Sequence, residues 1–235
     1  MNKIAIILAR QNSKGIPLKN LQPVGGISLL GRAIQSAIES GVFTHIVVST
    51  DGELIVQEAQ KYPDVLIIKR PDELANDTAS SISGVIHALD TLKQVYNVSG
   101  GVVCLLQPTS PLRTGKHIQE SWALFERQQF LGCVISACGL EQHPYKCLVK
   151  TEQDYEPVHL LTDLEAPRQQ LPKAYAPNGA IYWNDVDTLK HHQRFFNKPI
   201  CLYEMNEQDS LDIDSPNDLI KANEILYRVK NAEKL

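Results

Sequence analysis

The chain is expected to fold as an α/β protein, a mostly parallel sheet wrapped by helices, and three observations point there. Apolar, β-branched runs alternate with amphipathic stretches through the first 140 residues. The first run, Ile4-Ala5-Ile6-Ile7-Leu8, has no polar face and so reads as a strand buried on both sides. With 235 residues, 43% of them hydrophobic, the chain can bury a full core, and one large domain with an appendage fits better than two equal ones.

Taken in order, strands are expected at Lys3 to Leu8, His45 to Ser49, Val65 to Ile68, Val102 to Leu106 and Val134 to Ala137. Helical patterns fall between them at Leu29 to Glu39, Glu53 to Lys61, Ser81 to Tyr96 and Gly115 to Gln128. In the last of these, Ile118, Trp122 and Phe125 share one face and read as core. From Tyr145 to Pro177 the character changes: short strand-like stretches flank a polar turn, and Pro167, Pro172 and Pro177 follow with few aliphatics. Such a segment buries little apolar area by itself and is expected to lie on something else, such as a second subunit. Strand character returns at Ala180-Ile181-Tyr182-Trp183 and at Ile200 to Met205. A final helix is expected from Pro216 to about Val229, with Ser215 as its N-cap.

Net charge is −4, which argues against general attraction to nucleic acid or an anionic membrane. No apolar run has the length of a membrane span, and the N-terminus lacks the features of a secretory signal. Cys104, Cys133, Cys138, Cys147 and Cys201 form no Cys-x-x-Cys pair, which favours reduced thiols in a cytoplasmic protein, with Cys104 and Cys133 in the core.

Arg10, Lys14 and Lys19, interleaved with Gln11, Asn12, Ser13 and Gly15, lie directly behind the first strand. In open α/β sheets, ligands bind where the chain leaves a strand's carboxyl end. Inward-pointing backbone N–H groups with lysine and arginine beside them make a phosphate cradle. Gly26 to Ala33 has the glycine spacing of a P-loop but lacks its Lys-Ser/Thr pair, and no Gly-x-Gly-x-x-Gly follows a strand. Asp212-Ile213-Asp214 precedes the last helix: its carboxylates either share a hard cation such as Mg²⁺ or serve as a capping and a solvated residue. Gln107-Pro108-Thr109-Ser110-Pro111-Leu112-Arg113 leaves a central strand through a proline-bracketed turn. Its polar groups could line a pocket, although Thr109 and Ser110 are read slightly better as caps for the next helix. Asn76 to Ser81 forms another polar turn after Arg70, with Asp77 or Thr78 as a candidate N-cap. The histidines show no metal-ligand spacing, and His191-His192 reads as an exposed pair.

These motifs, with Pro177-Asn178-Gly179-Ala180-Ile181-Tyr182, together resemble the acylneuraminate cytidylyltransferases, in the right order over nearly the whole chain. Leu-Ala-Arg-Gln-Asn-Ser-Lys-Gly, Ser-Ser-Ile-Ser-Gly-Val-Ile-His-Ala-Leu and Pro-Arg-Gln-Gln-Leu-Pro are most similar to the bacterial branch, although Gln11-Asn12 stands where many members carry Gly-Gly. The resemblance implies a nucleotide-diphospho-sugar transferase-like catalytic domain over 1–144 and 178–235 and a dimerisation arm over 145–177. It implies transfer of CMP from CTP to a sialic acid, with Mg²⁺ as cofactor. Arg10, Lys19, Asp212 and Asp214 would be catalytic, the two aspartates as metal ligands. Arg10, Ser13, Lys14, Lys19, Asn20, Arg70, Asn76, Ser80 and Ser81 would bind CTP. Gln107, Lys146, Tyr182, Phe195 and Phe196 would line the sugar pocket, with Arg168 reaching a neighbouring subunit's site in a homodimer. As residues alone, Phe195 and Phe196 serve equally well as core or as the apolar contact for an acetyl methyl. Rival readings are a cytidylyltransferase for another 2-keto acid sugar (Kdo, legionaminate or pseudaminate), a metal-dependent glycosyltransferase, and a non-catalytic nucleotide-sugar sensor.

Overall fold

The computed structural model describes residues 1–13, 15–76 and 78–232. Lys14, expected to bind CTP, and Asp77, a candidate cap, lie outside them. The strands are β1 (Lys3–Leu8), β2 (Pro23–Val24), β3 (Ile27–Ser28), β4 (His45–Thr50), β5 (Val65–Lys69), β6 (Val102–Leu105), β7 (Cys133–Gly139), β8 (Leu148–Lys150), β9 (Tyr155–Pro157), β10 (Tyr175–Asp185) and β11 (Ile200–Glu204). The helices are α1 (Leu29–Ser40), α2 (Glu53–Ala59), α3 (Ser81–Tyr96), α4 (Gly115–Arg127), α5 (Leu161–Glu165), α6 (Val186–His192) and α7 (Pro216–Ala232).

Seven strands form one sheet in the order β11-β7-β10-β6-β1-β4-β5. All run parallel except β10, which lies antiparallel between β6 and β7. The expected α/β class is the one observed. Because β1 pairs with β4 on one side and β6 on the other, the connections out of the sheet diverge beside β1, and a crevice opens there at the strands' carboxyl ends. Both faces are covered. Helices α1, α2 and α4 pack on one with Ala5 and Ile7, while α3 and α6 pack on the other with Ile4 and Ile6, which is why β1 reads as uninterrupted apolar sequence. Ile118, Trp122, Phe125, Cys104 and Cys133 are buried, as expected.

Two capping assignments are corrected. Ser80, not Thr78, caps α3, accepting from the Ser83 N–H at 3.3 Å, while the Asn76 side chain accepts from Thr78 and Ala79 in an Asx turn. Thr114 caps α4 in a reciprocal box with His117, so Thr109 and Ser110 are not its caps. Ser215 directly precedes α7, which begins at Pro216 as expected; its N–H and hydroxyl both donate to the Asp218 carboxylate. Helix α6 was not foreseen: Asp185 caps it, and His191-His192 close it. Residues of the expected arm form the β8–β9 hairpin and α5, while Tyr175 to Pro177 already pair with β7.

Candidate active site

Beside β1 lies a cleft of about 440 Å³. The β1 exit contributes Arg10, Ser13, Gly15, Lys19 and Asn20; the β5–α3 connection contributes Arg70, Asn76, Ser80 and Ser81; the β6 exit contributes Gln107, Pro108 and Thr109; the loop before α7 contributes Asp212 and Asp214. Every described residue expected to bind CTP therefore lines one cavity, and so do Asp212 and Asp214, although the set runs from residue 10 to residue 214.

Local chemistry sets this geometry. Leu18 sits in the left-handed region (φ 50°), turning the chain so that Asn20 is buried and its amide donates to the Arg10 carbonyl at 2.9 Å. That bond closes the loop on itself. Lys19 Nζ then donates to the Ile213 carbonyl at 2.9 Å and pairs with Asp214 at 3.3 Å, joining the cationic loop to the acidic one. Gln11 is structural: its N–H binds Asp51 and its side chain accepts the Leu54 N–H at the start of α2.

Arg70 is buried, with its Nε lacking any hydrogen-bond partner. Burial lowers its pKa, the Asp51 carboxylate works against that, and the Arg10 charge adds to it. Gly84 makes the room: a Cβ there would stand 3.1 Å from Arg70 Nη1 and 3.3 Å from Leu8. Gly84→Ala is accordingly expected to displace Arg70 and raise the KM for CTP roughly tenfold, equivalent to about 1.4 kcal/mol, with kcat nearly kept. Steady-state kinetics checks this, and an unchanged KM would remove Arg70 from the nucleotide site.

Asp212 carries the opposite deficit. Its Oδ1 is buried without a hydrogen-bond partner. Its pKa is raised, first by burial and then by Asp214; Thr109 and Lys19 pull it back. A buried acceptor beside a second carboxylate fits a hard cation, and Asp212 and Asp214 would hold it. Among the described residues no group of three His, Cys, Asp or Glu side chains gathers, so the remaining ligands would be phosphate oxygens and water, the set Mg²⁺ favours.

The expected sugar residues divide. Gln107 lines the cleft. Tyr182, Phe195 and Phe196 are not among the residues lining it; the Tyr182 ring is tilted against Phe195 at 5.4 Å and meets Phe196 edge-on at 6.2 Å, and its pKa is raised by burial and then by the Asp212 charge. Phe195 packs against the core, while Phe196 is 42% exposed and leaves a ring available. Lys146 and Arg168 are not brought to the cleft of their own chain: Lys146 Nζ donates to the Leu164 carbonyl and Arg168 to the Leu140 carbonyl. Arg113, read as a possible pocket residue, is turned inward, donating to the carbonyls of Gln107 (2.8 Å) and Ala180 (2.9 Å). Sequence reasoning missed this anchor, and the two prolines ahead of it were the only hint of a rigid turn.

The chain is 34% identical to an N-acylneuraminate cytidylyltransferase of Streptococcus agalactiae over 94% of its length, and it spans about half (52%) of that relative. It is 32% identical to a CMP-N,N'-diacetyllegionaminic acid synthase of Legionella pneumophila, covering 93% of each chain. A solved structure of a CMP:2-keto-3-deoxy-manno-octonic acid synthetase complexed with CTP superposes with a TM-score of 0.72 at 16% identity, over 97% of this chain and 99% of that one, which establishes a common fold. Residues 4–234 match the family described as cytidylyltransferase, and the chain belongs to that family.

Proposed function

We propose that the chain transfers CMP from CTP to the anomeric hydroxyl of N-acetylneuraminate, giving CMP-N-acetylneuraminate and pyrophosphate. The observation that carries this reading is the cleft in which Lys19 bridges a cationic loop to a carboxylate pair, because metal-bound triphosphate chemistry needs both parts side by side. Asn20, Arg70 and Ser80 would take the cytidine end, and Arg10, Ser13 and Lys19 the phosphates. Attack of the hydroxyl oxygen on the α-phosphorus forms the new P–O bond as the bond to pyrophosphate breaks, and the hydroxyl proton is released. Lys19 would neutralise charge growing on the leaving group, while the rigid cleft positions the reactants. When bound, Mg²⁺ would lower the pKa of a hydroxyl it contacts and shield the triphosphate.

The Tyr182, Phe195 and Phe196 cluster offers apolar surface to an acetyl methyl, and Gln107 offers its amide to hydroxyls. A methyl contact supports a preference of only about ten- to two-hundredfold, so N-acetylneuraminate should exceed Kdo by roughly that factor in kcat/KM. Mass spectrometry of products from a panel of sugars with CTP and Mg²⁺ tests this. Faster turnover of Kdo would overturn the substrate while leaving the transfer chemistry standing. The second reading, a diacetylated legionaminate, is favoured by the legionella relative, whose own length the chain covers almost fully. The same panel separates the two.

We further propose a homodimer in which residues 145–177 form an arm that completes a neighbour's site. Leu148, Val149, Tyr155, Val158, Leu160 and Leu161 are all exposed there, more apolar surface than a solvated hairpin needs. Arg168, on the same arm, would supply the cation for the sugar carboxylate. Mixing Arg168→Ala chains with Asp214→Asn chains is expected to regenerate some intact sites and recover activity. No recovery in demonstrably exchanged heterodimers would confine Arg168 to its own subunit. The five cysteines are free thiols, and on that ground we propose a cytoplasmic location; among the described residues no helix is long and apolar enough to cross a membrane.

A further inference from the structure

Midway along β10 the pairing with β7 is interrupted between Pro177 and Tyr182, and the bulge carries Asn178, a buried amide. Its Oδ1 accepts from Ser136 Oγ on β7 at 2.6 Å and from the Ala180 N–H at 3.2 Å. Its Nδ2 donates to Ser210 Oγ at 2.9 Å and lies 3.3 Å from Met205 Sδ. Ser210 Oγ in turn donates to the Asn206 carbonyl at 2.7 Å, so its only proton is committed and it must accept from Asn178. The orientation of the amide is thereby fixed.

The two ends of that amide reach different parts of the cleft. The Ala180 bond holds a turn in which Gly179 takes φ +79° and lies so close to Gln107 that a Cβ would stand 2.6 Å from Gln107 Oε1. The Ser210 bond grips the loop that, two residues later, presents Asp212, whose neighbour Ile213 donates its N–H to the Thr109 carbonyl at 2.9 Å. Resting on the reading of the cleft given above, we propose that Asn178 is a positioning residue that sets the carboxylate pair and the Gln107 amide in one register, so that metal and sugar are held in a common geometry. Buried networks of this kind are costly when one member is left unsatisfied, which makes the register strict.

Asn178→Asp tests this with almost no change in shape. A carboxylate still accepts from Ser136 and Ala180 but has no proton for Ser210, whose hydroxyl must then turn from the Asn206 carbonyl to meet it, so the aspartate loop loses one of its two holds. The expected result is a rise of at least about tenfold in the Mg²⁺ concentration giving half-maximal turnover, accompanied by a raised KM for the sugar. Ser210→Ala, which removes the loop contact and leaves the Gly179 turn, should raise the Mg²⁺ requirement but not the sugar KM. Circular dichroism of each variant shows whether the fold survives, and a general loss of stability would lower the active fraction without moving either constant. Mg²⁺ and sugar constants matching the wild type in folded Asn178→Asp would overturn the proposal, as would identical shifts in both constants for Ser210→Ala. A wild-type protein that releases no pyrophosphate from CTP would instead overturn the function on which it rests.

Discussion

Asp212→Asn and Asp214→Asn are each expected to lose at least about a hundredfold in turnover, the scale seen when a group acting on developing charge is removed. The two variants should part company in stability. Asp214 is exposed at the side chain, and its pairing with Lys19 is worth little in water, so its replacement should leave the melting midpoint where it was. Asp212 is half-buried, with one oxygen unpartnered. Its folded pKa is raised, so the charge destabilises the metal-free fold at neutral pH. That penalty is relieved as pH falls through the folded pKa toward the unfolded value of about 3.9. Removing the charge should therefore raise the midpoint by a few degrees and flatten its dependence on pH over that window. Calorimetry of metal-free protein, with pyrophosphate release measured alongside, checks both. An Asp212→Asn protein that is inactive and also less stable would show that the carboxylate holds the loop together instead of waiting for a cation. EDTA should silence the wild type.

The sequence revealed this site unevenly, for physical reasons. Arg10, Lys19 and Asn20 were legible because charge and turn-forming residues concentrate directly behind a strand that is apolar on both faces, a local pattern. Asp212 and Asp214 were legible only as a pair with two readings, because what separates a metal site from a capping residue is a buried oxygen without a partner, and burial is decided by distant chain. The caps at Ser80 and Thr114 were misplaced because several hydroxyls and carboxyls compete within a few residues, and the winner depends on where helical dihedrals begin. The roles of Gly84 and Gly179 exist only in three dimensions: each is the space that a functional side chain occupies, Arg70 for one and Gln107 for the other. The insertion of β10 between β6 and β7 follows from topology and leaves no mark on the composition of the strand.

The largest structural effect is expected at a buried arginine. Arg113 is buried, and among the described residues no carboxylate pairs with it; its guanidinium spans the end of β6 and the bulged strand β10 by donating to the Gln107 and Ala180 carbonyls and to Ser36 Oγ at 3.3 Å. Burial pushes its pKa down to about 10, so it remains charged at neutral pH, and the cost of burying that charge is constant below about pH 10. The return is geometric. Two carbonyls that no ladder satisfies are capped, and Gln107 is locked to the strand that carries Asn178 and Gly179. Arg113→Ala takes the side-chain donor from the Ala180 carbonyl, leaves the Gln107 carbonyl only the long Ser110 N–H bond (3.4 Å) and opens a void, and about 3 to 5 kcal/mol should be lost. Denaturant unfolding measures this directly. Both carbonyls are met by one nitrogen, Nη1, so Arg113→Lys keeps the charge and a donor for that place but loses the Nε contact to Ser36 and the planar guanidinium, and should recover part of the loss. Because Gln107 moves with its anchor, the lysine variant should bind the sugar less well than its residual stability implies, with CTP binding preserved. If Arg113→Ala unfolds at the wild-type denaturant midpoint, the guanidinium is not what ties the β6 exit to β10.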